Sequence, residues 1–213
     1  MFLKRKTDAI TETGGLAERS FFGDRKTPTK KYLEQKRNVA TENGYVKFKD
    51  SLNLVRDNYD GDPTNPEKRL PHDLLVEIRC RIFGDEFSDE EGDRLKFYSA
   101  IGTPLDLYHG IDGWFEFIDL ANRQVIVTVD VTENLEKASA GDKNKADLII
   151  VDTEDERFLG NVDKVDSDDH RAYVVYVNVS DSTSDTYIEG LDLITDQIEK
   201  IFKEKGIAIR KAA

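Results

Sequence analysis

The nine residues Gln124 to Thr132, QVIVTVDVT, constrain this chain more than any other stretch. Their β-branched content and strict alternation specify a β-strand. With a repeat of two, Val125, Val127, Val129 and Val131 share one face, and Ile126, Thr128, Asp130 and Thr132 share the other. Such a valine face demands an apolar layer packed against it. On the opposite face sits a carboxylate, Asp130, whose burial is costly unless it is paired or bound. Upstream, Trp114 to Ile118 reads as a second strand, joined to the first by a hairpin turn over Asp119 to Arg123. A His-Gly-Ile-Asp-Gly approach places Asp112 at the mouth of that strand.

The rest of the chain supplies the layers. Pro71 suits the first turn of a helix and Gly84 its stop, and between them Leu74, Leu75, Ile78, Ile82 and Phe83 fall on one face, with Glu77 close beside it. A second helix is expected from about Asp89 to Ala100, ended by Gly102-Thr-Pro104. Leu148 to Val151 and Tyr173 to Val179 read as strands buried on both faces, separated by a charged connection over 152–171. Ile188, Leu191, Ile194, Ile198 and Phe202 recur at helical spacing in a last helix that ends at Gly206. The class is α/β, with at least four strands. Residues 1–65 differ, being broken by turn formers such as Gly14-Gly15, Pro28 and Asn43-Gly44. They offer a short basic helix over Thr29 to Ala40 and a strand-like alternation over Tyr45 to Lys49, but no core of their own. With a boundary at Asp62 to Pro66, the division is an N-terminal arm, 1–65, and a core domain, 66–213.

Charge separates the same two parts. The chain carries 31 Lys/Arg against 43 Asp/Glu, a net charge of −12. Residues 1–69 hold 15 basic and 11 acidic residues, which leaves 16 and 32 for residues 70–213. A basic front of this kind either lies on the acidic core or contacts nucleic acid, and both readings stay open. The single cysteine, Cys80, excludes an intramolecular disulfide and a cysteine-rich zinc site, and its place between two arginines in a helix reads as a structural thiol. No apolar run approaches the length of a membrane span and the start lacks the pattern of a secretory leader, so a cytoplasmic protein is expected. There is no phosphate-cradling glycine loop, nucleophile elbow or His-Glu-x-x-His motif.

Asp112 and Asp130, on adjacent strands, suit a hard cation such as Mg²⁺, which takes oxygen ligands and acts on phosphodiesters. The backbone carbonyl of Val131 lies beside them as a third ligand of the same kind. The order helix, strand, Gly110-Ile-Asp112, strand, Asp130-Val-Thr132, strand resembles the PD-(D/E)xK, or restriction-endonuclease-like, nuclease superfamily over about Pro71 to Val151. The resemblance implies a central mixed sheet of about four to five strands flanked by helices, here with an extended N-terminal arm. It implies a Mg²⁺-dependent nuclease cleaving phosphodiester bonds in DNA, with Asp112 and Asp130 as metal ligands and Glu77 as the supporting helix acid. The sequence departs from the pattern at Thr132, which stands where the family has lysine. Lys137, Lys143 and Lys145 follow closely, and Lys137 is assigned the lysine's catalytic role; an inactive, binding-only descendant fits equally well. In the nuclease reading the basic arm clamps nucleic acid. The alternative is a non-catalytic assembly protein of phage or mobile-element type, whose arm binds partner subunits or a second copy of the chain.

Overall fold

A computed structural model describes residues 14–23, 28–134, 146–166, 171–180 and 182–207. One mixed sheet of six strands runs through them: β1 (Leu95–Ser99), β2 (Gly113–Ile118), β3 (Gln124–Thr132), β4 (Leu148–Asp152), β5 (Val162–Asp166) and β6 (Arg171–Val177), in the spatial order β1-β2-β3-β4-β6-β5. The first three form an antiparallel meander, β4 runs parallel to β3, β6 parallel to β4, and β5 closes the far edge antiparallel to β6.

Helices cover both faces. On one side Val127, Val129 and Val131 of β3 meet Leu74, Leu75 and Ile78 of α4 (Arg69–Phe83) and Ile194, Ile198 and Phe202 of α7 (Asp185–Glu204). The demand made by the valine face is met there. On the other side Trp114, Ile149, Val151 and Val174 pack with Leu52 and Val55 of α3 (Phe48–Asp57) and Leu105 of α6 (Pro104–His109). The protein is therefore a three-layer α/β structure. No described helix is long and apolar enough to cross a membrane.

The N-terminal segment takes part in both layers. Phe21 and Phe22 of α1 (Gly14–Phe22) are buried in the first core, with Phe22 packed 5.2 Å, centroid to centroid, from Phe97. The basic α2 (Lys30–Val39) forms as expected, capped by Thr29, whose hydroxyl accepts from the Tyr32 N–H at 3.1 Å; it has no buried residue and leans on α3. The strand-like reading of Tyr45 to Lys49 is corrected, because α3 begins at Phe48. Its alternation instead seats Val46, fully buried, under the entry to that helix.

Other expectations change for physical reasons. The helix expected over Asp89 to Ala100 is only α5 (Asp89–Gly92), held by a capping box between Ser88 and Glu91. Then β1 begins, because Leu95 and Phe97 alternate onto the face already lined by Phe115 and Phe117, with which they pair. Gly102-Thr-Pro104 does not end a helix but starts one: Thr103 caps α6 and Pro104 takes a first-turn position. The charged connection over 152–171 contains β5, an edge strand whose Asp163 and Lys164 are exposed. Charge on a sheet edge discourages pairing with another chain, and it hides the strand from a hydrophobic pattern.

Two anchors fix the frame. The Arg79 guanidinium donates to the carbonyls of Thr64 (2.8 Å), Gly92 (3.0 Å) and Leu95 (3.0 Å), tying α4 to the start of the meander. Asp147, at the head of β4, accepts from both the N–H and the hydroxyl of Thr128 at 2.8 Å and from Lys205 at 2.7 Å, locking β3, β4 and the end of α7 together. If α1 is integral to this core, Phe22→Ala should destabilise the protein by about 3–5 kcal/mol in urea unfolding. An unchanged midpoint would mean that α1 does not dock.

Candidate functional site

The site is built where the β2–β3 ladder ends. Gly113 pairs with Val129 as the last residue of the ladder, and Asp112 stands just before it, off the end of the strand. The Asp112 N–H donates to the Val129 carbonyl at 2.9 Å, and its Oδ2 accepts the Val131 N–H at 2.8 Å. Asp112 thus grips the residues on either side of Asp130, and its side chain does the work of one more ladder carbonyl. Both carboxylates are buried, Asp112 at 2% exposure and Asp130 at 1%.

Glycine makes this approach feasible. A Cβ on Gly113 would lie 2.7 Å from the Phe97 ring and 2.9 Å from the Tyr98 carbonyl, so no larger residue fits between β1 and β3 there. Gly110, at φ 61°, ends α6 in the left-handed region and turns the chain into Asp112.

Two further acids converge on Asp112. Asp106 lies in the first turn of α6, where one of its oxygens accepts the Gly102 N–H at 2.6 Å, and Glu18 comes from α1. Ligand oxygens of Glu18, Asp106 and Asp112 all lie within 4.8 Å of one another. Two oxygens on opposite sides of one cation are separated by about 4.2 Å for Mg²⁺ and up to about 5.2 Å for Ca²⁺. An all-carboxylate set with this spread is of a size to take one hard divalent cation; Asp130 is not one of the three, and its charge reaches Asp112 from the neighbouring strand.

The electrostatics are those of like charges held together in a buried place. Burial pushes the Asp112 carboxyl well above the ordinary carboxylate range, and the negative charges of Asp130, Glu18 and Asp106 push the same way; the Val131 N–H opposes them.

The expected helix acid is elsewhere. Glu77 accepts a bond from Arg81 at 2.9 Å, and Arg81 also pairs with Asp192 and Asp196, so Glu77 belongs to the surface contact between α4 and α7. The acids that join Asp112 are Glu18 and Asp106 instead. Thr132 follows Asp130 on the same face, buried, and its hydroxyl accepts the Asn134 N–H at 3.1 Å, which turns the chain out of β3. Lys137, Lys143 and Lys145 lie outside the described residues. Cys80 is half-buried and burial raises its thiol, as suits a structural residue.

Neighbouring polar residues on this face have structural roles. Glu116, buried, receives Arg56 at 2.6 Å and 3.1 Å and the Trp114 indole at 3.4 Å. Above them Tyr98 stacks on Trp114 at 4.8 Å, its hydroxyl pushed up to about 12 by burial and by Glu116. Arg56→Ala, which strands the Glu116 carboxylate, should cost about 3 kcal/mol or more in chemical denaturation.

The Asp112 shift has a definite sign. A carboxyl whose folded value is raised costs nothing while protonated, and its penalty on the fold grows as pH rises from the ordinary value toward the raised one. Asp112→Asn removes the penalty and keeps an oxygen for the Val131 N–H. In EDTA the variant should melt a few degrees above wild type at pH 8, with the difference shrinking toward pH 4. A variant no more stable than wild type at pH 8 would refute that electrostatic picture.

No family model, curated protein or solved structure matches the chain.

Proposed function

We propose that the chain is a divalent-metal-dependent phosphodiesterase of restriction-endonuclease-like fold, acting on DNA. The observation that carries this reading is the position of Asp112: clamped across Asp130 at the end of the β2–β3 ladder, with Glu18 and Asp106 converging on it. Helix α4, the meander β1-β2-β3 and the parallel strand β4, with α6 inserted between β1 and β2, support the reading of the fold. The basic N-terminal segment supplies positive charge for a polyanionic substrate.

Asp112 and Asp130 would hold the cation, with Glu18 and Asp106 completing the oxygen set. A cation bound there supplies Lewis acidity toward a phosphodiester oxygen and acidifies the attacking water. The Val131 N–H holds Oδ2 of Asp112, which would leave Oδ1 for the cation.

A second reading, a non-catalytic binding protein, draws support from Thr132. Its hydroxyl is engaged by Asn134 and it cannot carry the charge that a lysine would bring.

Titration calorimetry with Mn²⁺ and Mg²⁺, paired with cleavage of plasmid and oligonucleotide DNA, separates these. Wild type should bind the cation and cut, and Asp112→Asn and Asp130→Asn should cut at about a hundredth of the rate or less. Equal heats from wild type and Asp130→Asn would reject Asp130 as a ligand. Cation binding without cleavage would favour the binding protein.

A further inference from the structure

The carboxylate site has a neighbour that the nuclease reading does not use. Tyr45 and Tyr108 pack together at 5.5 Å between ring centroids, tilted by 57°, yet remain 36% and 42% exposed. They are braced, not loose. The Tyr108 hydroxyl donates to the Gly44 carbonyl at 3.1 Å, and the ring of Tyr45 also rests on buried His109 at 5.7 Å. His109 in turn contacts the Val46 carbonyl at 3.1 Å and the edge of Phe48 at 5.5 Å. Leu107, beside Tyr108 on α6, is 54% exposed. An exposed aromatic pair on a rigid support is a surface that loses little entropy when something flat settles on it.

Its surroundings select what that is. Residues 28–49 carry six Lys/Arg and two Asp/Glu in a chain whose net charge is −12. Lys30, Lys31, Arg37, Lys47 and Lys49 are all exposed. The turn after α2 folds back, with the Thr41 N–H donating to the Tyr45 carbonyl at 2.9 Å, so Tyr45 stands close to the end of that basic helix. Lys47 and Lys49 follow it directly. Cations flanking aromatic faces match a polymer of phosphates and bases.

Tyr108 and Asp106 lie two positions apart on α6 and so project to different sides of one short helix, whose width with side chains is about 10–12 Å. From these placements we infer that Tyr45 and Tyr108 form a stacking platform for unpaired bases, and that the protein engages single-stranded polynucleotide, laid from the cations of α2 across the tyrosines. Bases within a duplex present no free face to such rings, whereas an unpaired base does. This deepens the nuclease reading by naming its substrate class, and rests on that reading for what becomes of the bound strand.

Fluorescence anisotropy in EDTA tests the platform without any cleavage, using a labelled 20-mer of dT, a 20-mer of rU and a blunt duplex. Wild type should bind the single strands more tightly than the duplex, with the dT and rU arms reporting sugar preference. Tyr45→Ala/Tyr108→Ala should weaken single-strand binding by on the order of tenfold or more. Tyr45→Phe/Tyr108→Phe, which keeps the rings, should restore most of it. Lys47→Ala/Lys49→Ala should weaken single strand and duplex alike and flatten the salt dependence. Equal affinity for duplex and single strand, an unchanged Ala double variant with native circular dichroism, or no binding to any nucleic acid would overturn the inference. Selective single-strand binding by a protein that neither binds Mn²⁺ nor cuts would uphold the platform and reject the nuclease reading.

Discussion

The hydrogen bond from the Val131 N–H to the Asp112 carboxylate, 2.8 Å long, is the contact on which the candidate site depends. It extends the β2–β3 ladder with a side chain and fixes one acid against the strand that carries the other. Beside it, Gly113 lets β2 run tight against β1. The valine face of β3, pressed against α4 and α7, holds the strand that offers the N–H. Core packing and candidate chemistry thus share one strand, with apolar residues on its first face and Thr128, Asp130 and Thr132 on its second.

That division was legible because a strand has a repeat of two and β3 is long enough to display it. The helices α4 and α7 were legible for the same reason at their own repeat. Failures arose where local pattern and tertiary demand part. Leu95, Phe97 and Tyr98 follow a helix start and read as its continuation, but the face lined by Phe115 and Phe117 claims them as β1. Pro104 served equally well as a stop or a start, and only the space over the second face decides for α6. The charged residues of β5 carry no hydrophobic signal. Asp112 and Asp130 could be paired from the sequence because a hairpin joins their strands. Glu18 could not, for it stands 94 positions before Asp112 and nothing local to α1 marks it. Glu77, chosen for its helix, lost to Arg81 four residues on, a partner of the commonest helical spacing.

The second face also explains how a polar site survives inside a domain. Glu116 with Arg56, and Asp147 with Thr128 and Lys205, bring their own partners, so burial leaves them satisfied. Asp112 stands apart from these, because the groups around it are mostly other acids. A fold that tolerates such a cluster gives up stability at one place, and the two packed cores offset the loss.

Helix α1 has a temporal consequence. Glu18 is made early, but the surface that receives α1, formed by α4 and β3, emerges only after most of the meander has been synthesised. The four acids therefore cannot gather on a nascent chain until β3 has left the ribosome. Long-range closure of this kind is slow compared with the local hairpin. Assembly of the acidic group is a late event, so its mutual repulsion is met only once the two cores that offset it can form.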